Sequence, residues 1–421
     1  MVAIPSPQPD TPRPSVSVRR RKVLILCSRV VPYASPLFRH LAQDPRVEIL
    51  VAYCSLQGAE RSLDPEFGVE VQWDEPLLDG YPWVELSRKA PSRNVGSLFG
   101  LWNPKLWSLM RGGSYDAVVI YTGYMCAAFW QAVLAAKSHS VPVVISSDST
   151  VLQPRDQALW KRPIKPFILG SVYRSVDVLM AGSPAAAQLA ARLGMPQERI
   201  MVIRSGADKE AWIARAEKSD PLAIRASWNV PASAPVVFSC GKLQPWKRPL
   251  DLLRAFAKAN VASAYLVFAG DGALRKELEA EARHLKVQER VRLLGFVNVS
   301  QLPGFYKAAD LFALCSDYDQ CPLVVPEAMF SGIPVILSDA VLGRRDMIHE
   351  GISGYSYPCA DIDALAAILR KVLSDPALVD QLKSGVRRQM ESWTMADCLD
   401  SWLSAVEMAH RRKPVHGGGG S

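Results

Sequence analysis

The chain has 421 residues, 49% of them hydrophobic and 21% charged, and its 49 basic and 41 acidic residues give a net charge of +8. This length and apolar content allow two domains with complete cores, so the disulfides on which small secreted folds depend are not required. The basic excess suits an anionic partner, either a nucleotide diphosphate or an acidic lipid headgroup. Nucleic acid is the weakest of the anionic partners, and none is predicted, because no zinc-finger, RNA-recognition or helix-turn-helix signature accompanies the charge.

Cysteine usage and local composition predict the compartment and the chain ends. The eight cysteines are scattered without a Cys-x-x-Cys pair, which indicates buried thiols in a reducing compartment. No apolar run reaches the length of a membrane span, so we expect a cytoplasmic protein. The basic run 19–22 is either solvated or a peripheral contact with the anionic inner face of the membrane. Residues 1–18, rich in proline and serine, are expected to form a disordered tail, and the glycine-rich residues 417–421 resemble an appended linker.

The N-terminal part alternates short apolar runs with helical patterns. Such alternation is typical of a parallel sheet that is covered by helices on both faces. Between the elements, the poorly periodic residues 55–114 hold four tryptophans, which either pack this insertion onto the domain or stack against an acceptor sugar. The predicted strands are 23–27, 47–53, 116–121, 141–146, 176–180 and 200–203, and the predicted helices are 37–43, 125–137, 164–173 and 184–193.

A second alternating series begins at residue 235, after a link at residues 206–234. We therefore predict an α/β protein with two Rossmann-like, doubly wound parallel-sheet domains. The predicted strands are 235–240, 264–269, 291–297, 310–314 and 332–337, and the predicted helices are 274–285, 365–373 and 393–410.

Two acidic residues, Asp319 and Glu327, flank the start of a short predicted helix between two buried strands. The first turn of a helix presents free amides and a partial positive charge, so Leu323 and Val324 are candidate phosphate donors. Glu327 lies one turn further, about 6 Å along the axis, where a carboxylate can accept both hydroxyls of a ribose. Asp319, on the other side, can meet a sugar beyond the diphosphate.

This stretch resembles the Glu-x7-Glu signature of glycosyltransferase family 4, since Ala-Met-x-x-Gly-x-Pro-Val follows the acid pair. The resemblance implies a retaining enzyme with the GT-B fold, in which an acceptor domain, here 19–205, faces a nucleotide-sugar donor domain, here 206–393, across a cleft. It also implies that the terminal helix 394–412 packs back onto the first domain. The sequence departs from the signature at Asp319, one methylene shorter than the usual Glu, and at residues 320–322, where Gln-Cys-Pro replaces Gly-Phe-Gly. Part of the insertion, residues 67–81, looks like a block of a bacterial subgroup of this family.

The turn after strand 235–240 resembles the family's Gly-Arg-Leu-x-x-x-Lys-Gly stretch through Gly241, Lys242 and Lys247. Two cations at the carboxyl end of a strand can neutralise a departing diphosphate. Lys242 supplies a point charge where the family's Arg supplies a bidentate fork. The resemblance further implies nucleotide contacts at Gly270, Asp271, Phe296 and Val297.

The acceptor side is less well defined. Many family members carry a His after the strand 116–121, but this chain has Tyr121-Thr-Gly-Tyr124, so the role of that His is not transferred. The first strand-to-helix loop, which includes Ser35, lacks the family's double glycine. Asp148 follows a strand at its carboxyl end and is either an acceptor-side base or a cap for the next turn. The acceptor-side candidates are Ser35, Tyr121, Tyr124 and Asp148.

A metal is not expected. Glycosyltransferases of the other fold hold a divalent metal with Asp-x-Asp, and such strings occur at 317–319 and 361–363. The second string lies at a helix start, where Asp is a common cap, and Asp319 of the first already belongs to the acid pair. We therefore predict no required metal or other cofactor, with the nucleotide sugar as co-substrate.

The expected reaction is transfer of a sugar from a nucleoside-diphosphate sugar, with UDP favoured, to a hydroxyl of a sugar, lipid-linked or small-molecule acceptor. Asp319, Lys242 and Lys247 are the expected catalytic residues, and retention follows from the resemblance. No residue identifies itself as a covalent nucleophile, which favours attack on the face of departure. Alternatives are a sugar-nucleotide epimerase of the same fold and a non-catalytic nucleotide-sugar-binding subunit. An NAD-linked oxidoreductase is disfavoured because Arg275 replaces the third glycine of the dinucleotide fingerprint.

Overall fold

The computed structural model describes residues 20–64, 66–86, 102–152, 163–203, 208–342 and 347–412. Within them, two parallel sheets flanked by helices confirm the predicted α/β class with two doubly wound domains. The predicted tail 1–18 and linker 417–421 lie outside the described residues, as do residues 204–207 at the expected domain boundary. The boundary itself stays a prediction.

The first sheet has seven parallel strands in the order β5-β2-β1-β6-β7-β8-β9. The insertion contributes its edge strand β5, a helix and a separate antiparallel hairpin, β3–β4. The strands are β1 (Arg21–Cys27), β2 (Val47–Tyr53), β3 (Ser62–Asp64), β4 (Val69–Val71), β5 (Trp83–Glu85), β6 (Ala117–Ile120), β7 (Val143–Ser147), β8 (Val178–Ala181) and β9 (Ile200–Val202). The helices are α1 (Ser35–Gln43), α2 (Lys105–Gly113), α3 (Ala127–Ser138), α4 (Ile164–Ser175) and α5 (Pro184–Arg192).

The second sheet has six parallel strands in the order β12-β11-β10-β13-β14-β15. Two helices, α6 (Lys209–Glu217) and α7 (Pro221–Ser227), form within the predicted link. The strands are β10 (Val236–Cys240), β11 (Tyr265–Ala269), β12 (Val291–Leu293), β13 (Leu311–Leu314), β14 (Val335–Ser338) and β15 (Gly354–Tyr357). The helices are α8 (Pro249–Ala259), α9 (Arg275–His284), α10 (Leu302–Lys307), α11 (Val324–Phe330), α12 (Ile362–Leu373), α13 (Pro376–Glu391) and α14 (Met395–Arg411).

Continuous apolar runs form the central strands because both faces of each sheet are covered. Along β1, Val23 and Ile25 join one core cluster while Leu24 and Leu26 join another, and all four are fully buried. This is the alternation of side chains that a strand dictates. Strand β10 divides its residues in the same way, with Phe238 on one face and Val237 on the other.

The terminal helix α14 packs on the first sheet. Its Trp402 is fully buried in the same cluster as Val23 and Val178, and the Trp402 indole donates to the Tyr121 hydroxyl at 3.1 Å. The strand order reverses between β1 and β6 in the first sheet and between β10 and β13 in the second. Such reversals open a crevice at the carboxyl ends of the strands, where open α/β sheets bind ligands.

Candidate active site between the two sheets

A cavity of about 840 Å³ lies between the strand ends of the two sheets. One wall includes Arg29 and Tyr33 from the loop after β1 and Asp148 after β7. The opposite wall includes Gly241 after β10 and Asp319 after β13. The cavity therefore lies where the reversals of strand order predict a ligand site.

Lys247 and Asp319 form an ion pair in the cavity wall. Lys247 ends a short 3₁₀ helix after β10, and its Nζ donates to Asp319 Oδ2. Asp319 also accepts a hydrogen bond of 3.2 Å from the Ser316 hydroxyl. These residues come from the ends of two adjacent strands, so the fold brings the predicted cation and acid together. An anion beside Lys247 would meet a preorganised positive charge.

Lys242 is held by acidic side chains from the other half of the molecule. Its Nζ lies 3.1 Å from both carboxylate oxygens of Asp64 and 2.7 Å from Glu66 Oε2. It also lies 4.9 Å from the centre of the Phe67 ring, within the range of a cation–π contact. Lys242 thus lines the cavity, and it forms ion pairs with two carboxylates that come from the opposite half of the molecule.

Gly270 brings the turn after β11 against the turn after β10. A Cβ at this position would lie 1.9 Å from the Gly241 carbonyl oxygen, and the φ of Gly270 is +147°. Both conditions require glycine. Gly241 and Gly270 both line the cavity, and the lack of side chains lets a ligand approach the backbone closely.

Glu327 lines the cavity from α11, together with Leu323 and Val324 at the start of that helix. The Tyr306 hydroxyl lies 3.4 Å from Glu327 Oε2 and 3.3 Å from the Val324 carbonyl oxygen. Burial raises the pKa of Glu327 to about 7, although the hydrogen bond from Tyr306 acts in the opposite direction. Tyr306 itself is fully buried and packs edge-on against Phe238, so it holds the carboxylate from a rigid position.

Aromatic side chains of the two halves of the molecule meet in the cavity lining. Phe296 and Val297, where the sequence predicts the edge of the nucleotide base, both line it. The Phe296 ring centre lies 5.3 Å from that of Phe67 and 5.6 Å from that of Trp73. Two rings of the insertion therefore pack against the predicted base site, and no sequence pattern predicted this contact.

Asp271, which was also predicted to contact the nucleotide, is not among the residues that line the cavity. Its carboxylate accepts from the Gly272 amide at 2.9 Å and from Arg275 at 3.2 Å. Both bonds are local, so Asp271 stabilises the Gly-Asp-Gly turn and the start of α9.

Asp148 lines the cavity from the first sheet. A Cβ on Gly182 would lie 1.9 Å from Asp148 Oδ1, so the glycine leaves the space that this carboxylate occupies. Burial raises the pKa of Asp148, although its side chain remains open to the cavity. Asp148 and Tyr33 interact electrostatically, since the carboxylate contributes to raising the pKa of Tyr33 after burial. Together with Arg29, which also interacts with Tyr33, this pair forms a polar corner of the acceptor-side wall.

The other acceptor-side candidates, Ser35, Tyr121 and Tyr124, are not among the residues that line the cavity. Ser35 is 1% exposed in the first turn of α1. Tyr121 packs edge-on against Phe38, with ring centres 5.8 Å apart, and its hydroxyl accepts from Trp402. Tyr124 is partly buried and packs against a core cluster of the first domain. The side chains of Ser35 and Tyr121 therefore turn into the core, whereas Tyr124 is half-buried and interacts with Tyr318 of the cavity wall.

Asp64, Glu66 and Tyr306 are the site residues that sequence reasoning missed. Asp64 and Glu66 lie in the aperiodic insertion, and their contact partner Lys242 is 178 and 176 positions away. Their charge and their place just before a family-like Phe-Gly pair were the available signals. Tyr306 lies in no motif that distinguishes it from a core aromatic residue.

Neither Asp-x-Asp string forms part of a metal-ligand cluster in the described residues, where no three His, Cys, Asp or Glu side chains are suitably grouped. Asp319 is paired with Lys247, and Asp361 caps α12 by accepting from the Ala364 amide at 2.9 Å. Across the same described ranges, no helix is long and apolar enough to cross a bilayer. Metal independence, the cytoplasmic location and the membrane contact stay predictions.

Comparison with known proteins gives two family matches and several relatives. Residues 30–206 match the "Glycosyl transferase 4-like domain" model and residues 222–389 match "Glycosyl transferases group 1". An uncharacterized glycosyltransferase of Methanocaldococcus jannaschii is 30% identical over 248 residues, 57% of this chain and 63% of its own length. A D-inositol 3-phosphate glycosyltransferase of Xylanimonas cellulosilytica is 27% identical over 316 residues, 72% of this chain and 74% of its own length.

The similarity extends to solved structures. The structure of Anabaena Alr3699/HepE in complex with UDP and glucose superposes with a TM-score of 0.70 at 19% identity, over 92% of this chain and all of that chain. The two family models divide this chain between the two sheets described above. The chain therefore belongs to the group 1 glycosyltransferases with a glycosyltransferase 4-like N-terminal domain, and it has the GT-B fold.

Proposed function

We propose that this protein transfers a sugar from a nucleoside-diphosphate sugar, preferably a UDP-sugar, to an acceptor hydroxyl, with retention of anomeric configuration and without a metal ion. The observation that carries the proposal is the convergence of Lys242, Lys247, Asp319 and Glu327 on one cavity between the two sheets. Two cations and two separated carboxylates suit a ligand that is anionic in the middle and bears hydroxyls at both ends.

Each residue has a role in this proposal. Glu327 accepts hydrogen bonds from the ribose hydroxyls, and the backbone near Phe296 contacts the edge of the nucleotide base. Lys247 stabilises the charge that develops on the departing phosphate. Asp319, held by Lys247 and Ser316, orients the donor sugar. The leaving phosphate takes the proton of the attacking hydroxyl on the same face of the sugar.

The acceptor binds the opposite wall, where Asp148 and Tyr33 contact its hydroxyl groups. The relative from Xylanimonas, named for D-inositol 3-phosphate, supports a polar acceptor. The Anabaena structure, which holds UDP and glucose, supports a UDP-sugar donor. Free sugars, an inositol phosphate and a lipid-linked sugar are therefore the acceptors to test first.

The test incubates purified protein with UDP-glucose, UDP-galactose, UDP-N-acetylglucosamine or GDP-mannose and each acceptor. Mass spectrometry should detect a glycosylated acceptor. NMR of this product should show the same anomeric configuration as in the donor sugar. Addition of EDTA should leave the rate of transfer unchanged. Asp319→Asn should abolish transfer. Lys258→Ala, which removes an exposed cation outside the cavity, is the matched surface control.

The alternatives give different products. Isomerised free nucleotide sugar without transfer would indicate an epimerase of this fold. Nucleotide-sugar binding with no chemical change would indicate a non-catalytic binding subunit. Inverted product would refute retention, and loss of activity in EDTA with recovery in Mg²⁺ would refute metal independence.

A further inference from the structure

Residues 62–64 and 66–75, here called the bridging segment, cross the cleft from the first sheet's side to the second. The segment contains the β3–β4 hairpin and the loop after it. Hydrogen bonds and ion pairs join both the hairpin and the loop after it to the C-terminal half of the chain. The contacts are Asp64 and Glu66 with Lys242, Gln244 with the Glu66 carbonyl, Asn298 with the Gln72 carbonyl at 2.8 Å, Ser300 with Asp74, and Arg215 with Glu75.

The strands of the bridging segment do not belong to the seven-stranded sheet. Within the described chain, β3 and β4 pair only with each other, in a two-stranded antiparallel ladder. Leu63 on this hairpin is 61% exposed. The hairpin can therefore change position without breaking a hydrogen bond of either large sheet.

Charge in the cavity conflicts with a bound diphosphate when the bridging segment is in place. Lys242 is paired with Asp64 and Glu66, and Lys247 is paired with Asp319. Three carboxylates thus surround two ammonium groups. A diphosphate placed beside Lys242 would lie within a few ångströms of two carboxylates, and like charges at such distances repel strongly in a partly buried site.

We propose that Asp64 and Glu66 occupy the place of the donor diphosphate on Lys242 in the nucleotide-free protein, so that donor binding requires withdrawal of the bridging segment. This inference rests on the proposed donor site. The two carboxylates act as an internal anion that competes with the nucleotide. Because Phe67 and Trp73 move with the same segment, their packing on Phe296 is released at the same time and the base site opens.

The first experiment compares the wild type with the double variant Asp64→Asn/Glu66→Gln, which keeps the shapes and removes both charges. Hydrogen–deuterium exchange of residues 62–75 without nucleotide should be faster in the double variant. Glu70→Gln, on the same hairpin and paired with exposed Arg61 outside the lysine contact, should exchange like the wild type. Unchanged exchange in the double variant would overturn the proposal without reference to any nucleotide.

The second experiment adds UDP. Exchange of residues 62–75 in the wild type should rise while exchange of residues 241–247 falls, and the double variant should bind UDP about fivefold more tightly in calorimetry, as expected for the loss of two partly exposed ion pairs. Slower exchange in the bridging segment, or equal or weaker UDP binding by the double variant, would overturn the proposal. If neither the wild type nor the double variant binds UDP, UDP-glucose or GDP-mannose, both the proposed competition at Lys242 and the proposed function are wrong.

Discussion

Replacing Glu327 by glutamine should stabilise the fold at alkaline pH and weaken donor binding. Burial raises the pKa of Glu327 from its ordinary value of 4.5 to about 7. The folded protein therefore holds this proton more tightly than the unfolded chain, and stability falls as the pH rises through the interval between these two values. Glutamine keeps the shape of the side chain and can still accept from Tyr306, but it never ionises.

The magnitude follows from the size of this shift. Each pKa unit corresponds to about 1.4 kcal/mol, so ionising Glu327 costs up to about 3 kcal/mol above pH 7. The carboxylate keeps some access to the cavity, which reduces the expected gain in the glutamine variant to about 1–2 kcal/mol. For a domain of this size that corresponds to a Tm increase of about 2–8 °C at pH 8. The difference should shrink toward pH 5 and vanish only below 4.5, the ordinary pKa of a glutamate, where the side chain is protonated in the unfolded chain as well.

Two assays measure the two effects. Calorimetric melting of both proteins from pH 5 to pH 8 gives the stability difference. Titration with UDP-glucose, whose diphosphate does not change charge in this range, gives donor affinity. The wild-type affinity should rise about tenfold from pH 6 to pH 8 because the ribose hydroxyls need the ionised carboxylate. A variant that melts below the wild type at pH 8, or that binds UDP-glucose as well as the wild type does, would refute these roles of Glu327.

Three further substitutions test other parts of the account. Lys247→Ala removes a cation from the cavity, so calorimetry should show UDP-glucose binding weakened about tenfold or more, whereas Lys258→Ala should leave it unchanged. Tyr121→Phe removes the acceptor of the terminal-helix indole and should lower the free energy of unfolding in urea by about 1 kcal/mol, with kcat and KM unchanged. Tyr306→Phe removes the hydrogen bond that lowers the pKa of Glu327, so the midpoint of the pH profile of donor affinity should move upward.

Each of these expectations has a contrary outcome. Equal weakening by Lys247→Ala and Lys258→Ala would show that net charge, and not a local contact, governs donor binding. A fall in kcat for Tyr121→Phe with no loss of stability would indicate that Tyr121 acts in the acceptor site and does not anchor the terminal helix. If the midpoint of the pH profile stays in place or moves down in Tyr306→Phe, the Tyr306 hydroxyl does not stabilise the ionised form of Glu327.

Local sequence was sufficient for most strands of the two sheets because these are apolar runs of the expected length, whereas the edge strand β15, with the sequence Gly-Tyr-Ser-Tyr, is not such a run and was not predicted. The residues 23–27 and 310–314 are recognisable as buried strands without any knowledge of their neighbours. Lys247 and Asp319 were selected by the family resemblance, and their places after such strands predict that they lie at one edge of a sheet, where parallel strand ends meet. Their actual pairing needed the reversal of strand order, which a single sequence does not reveal.

The insertion and the acceptor side were beyond this logic. The β3 and β4 strands are three residues each and carry no usable periodicity. Side-chain direction also decides function at a strand end: Asp148 turns into the cavity, whereas Tyr121 turns under the terminal helix. That helix arrives from the other end of the chain, so the burial of Tyr121 is a tertiary effect that its own neighbourhood does not encode.

A crystal structure with UDP-glucose bound tests the central claim most directly. The account predicts diphosphate oxygens within hydrogen-bond distance, about 2.7–3.2 Å, of Lys247 Nζ and Lys242 Nζ, with the ribose hydroxyls on Glu327. A nucleotide sugar seated elsewhere on the protein, with these three side chains free of contact to it, would contradict the account.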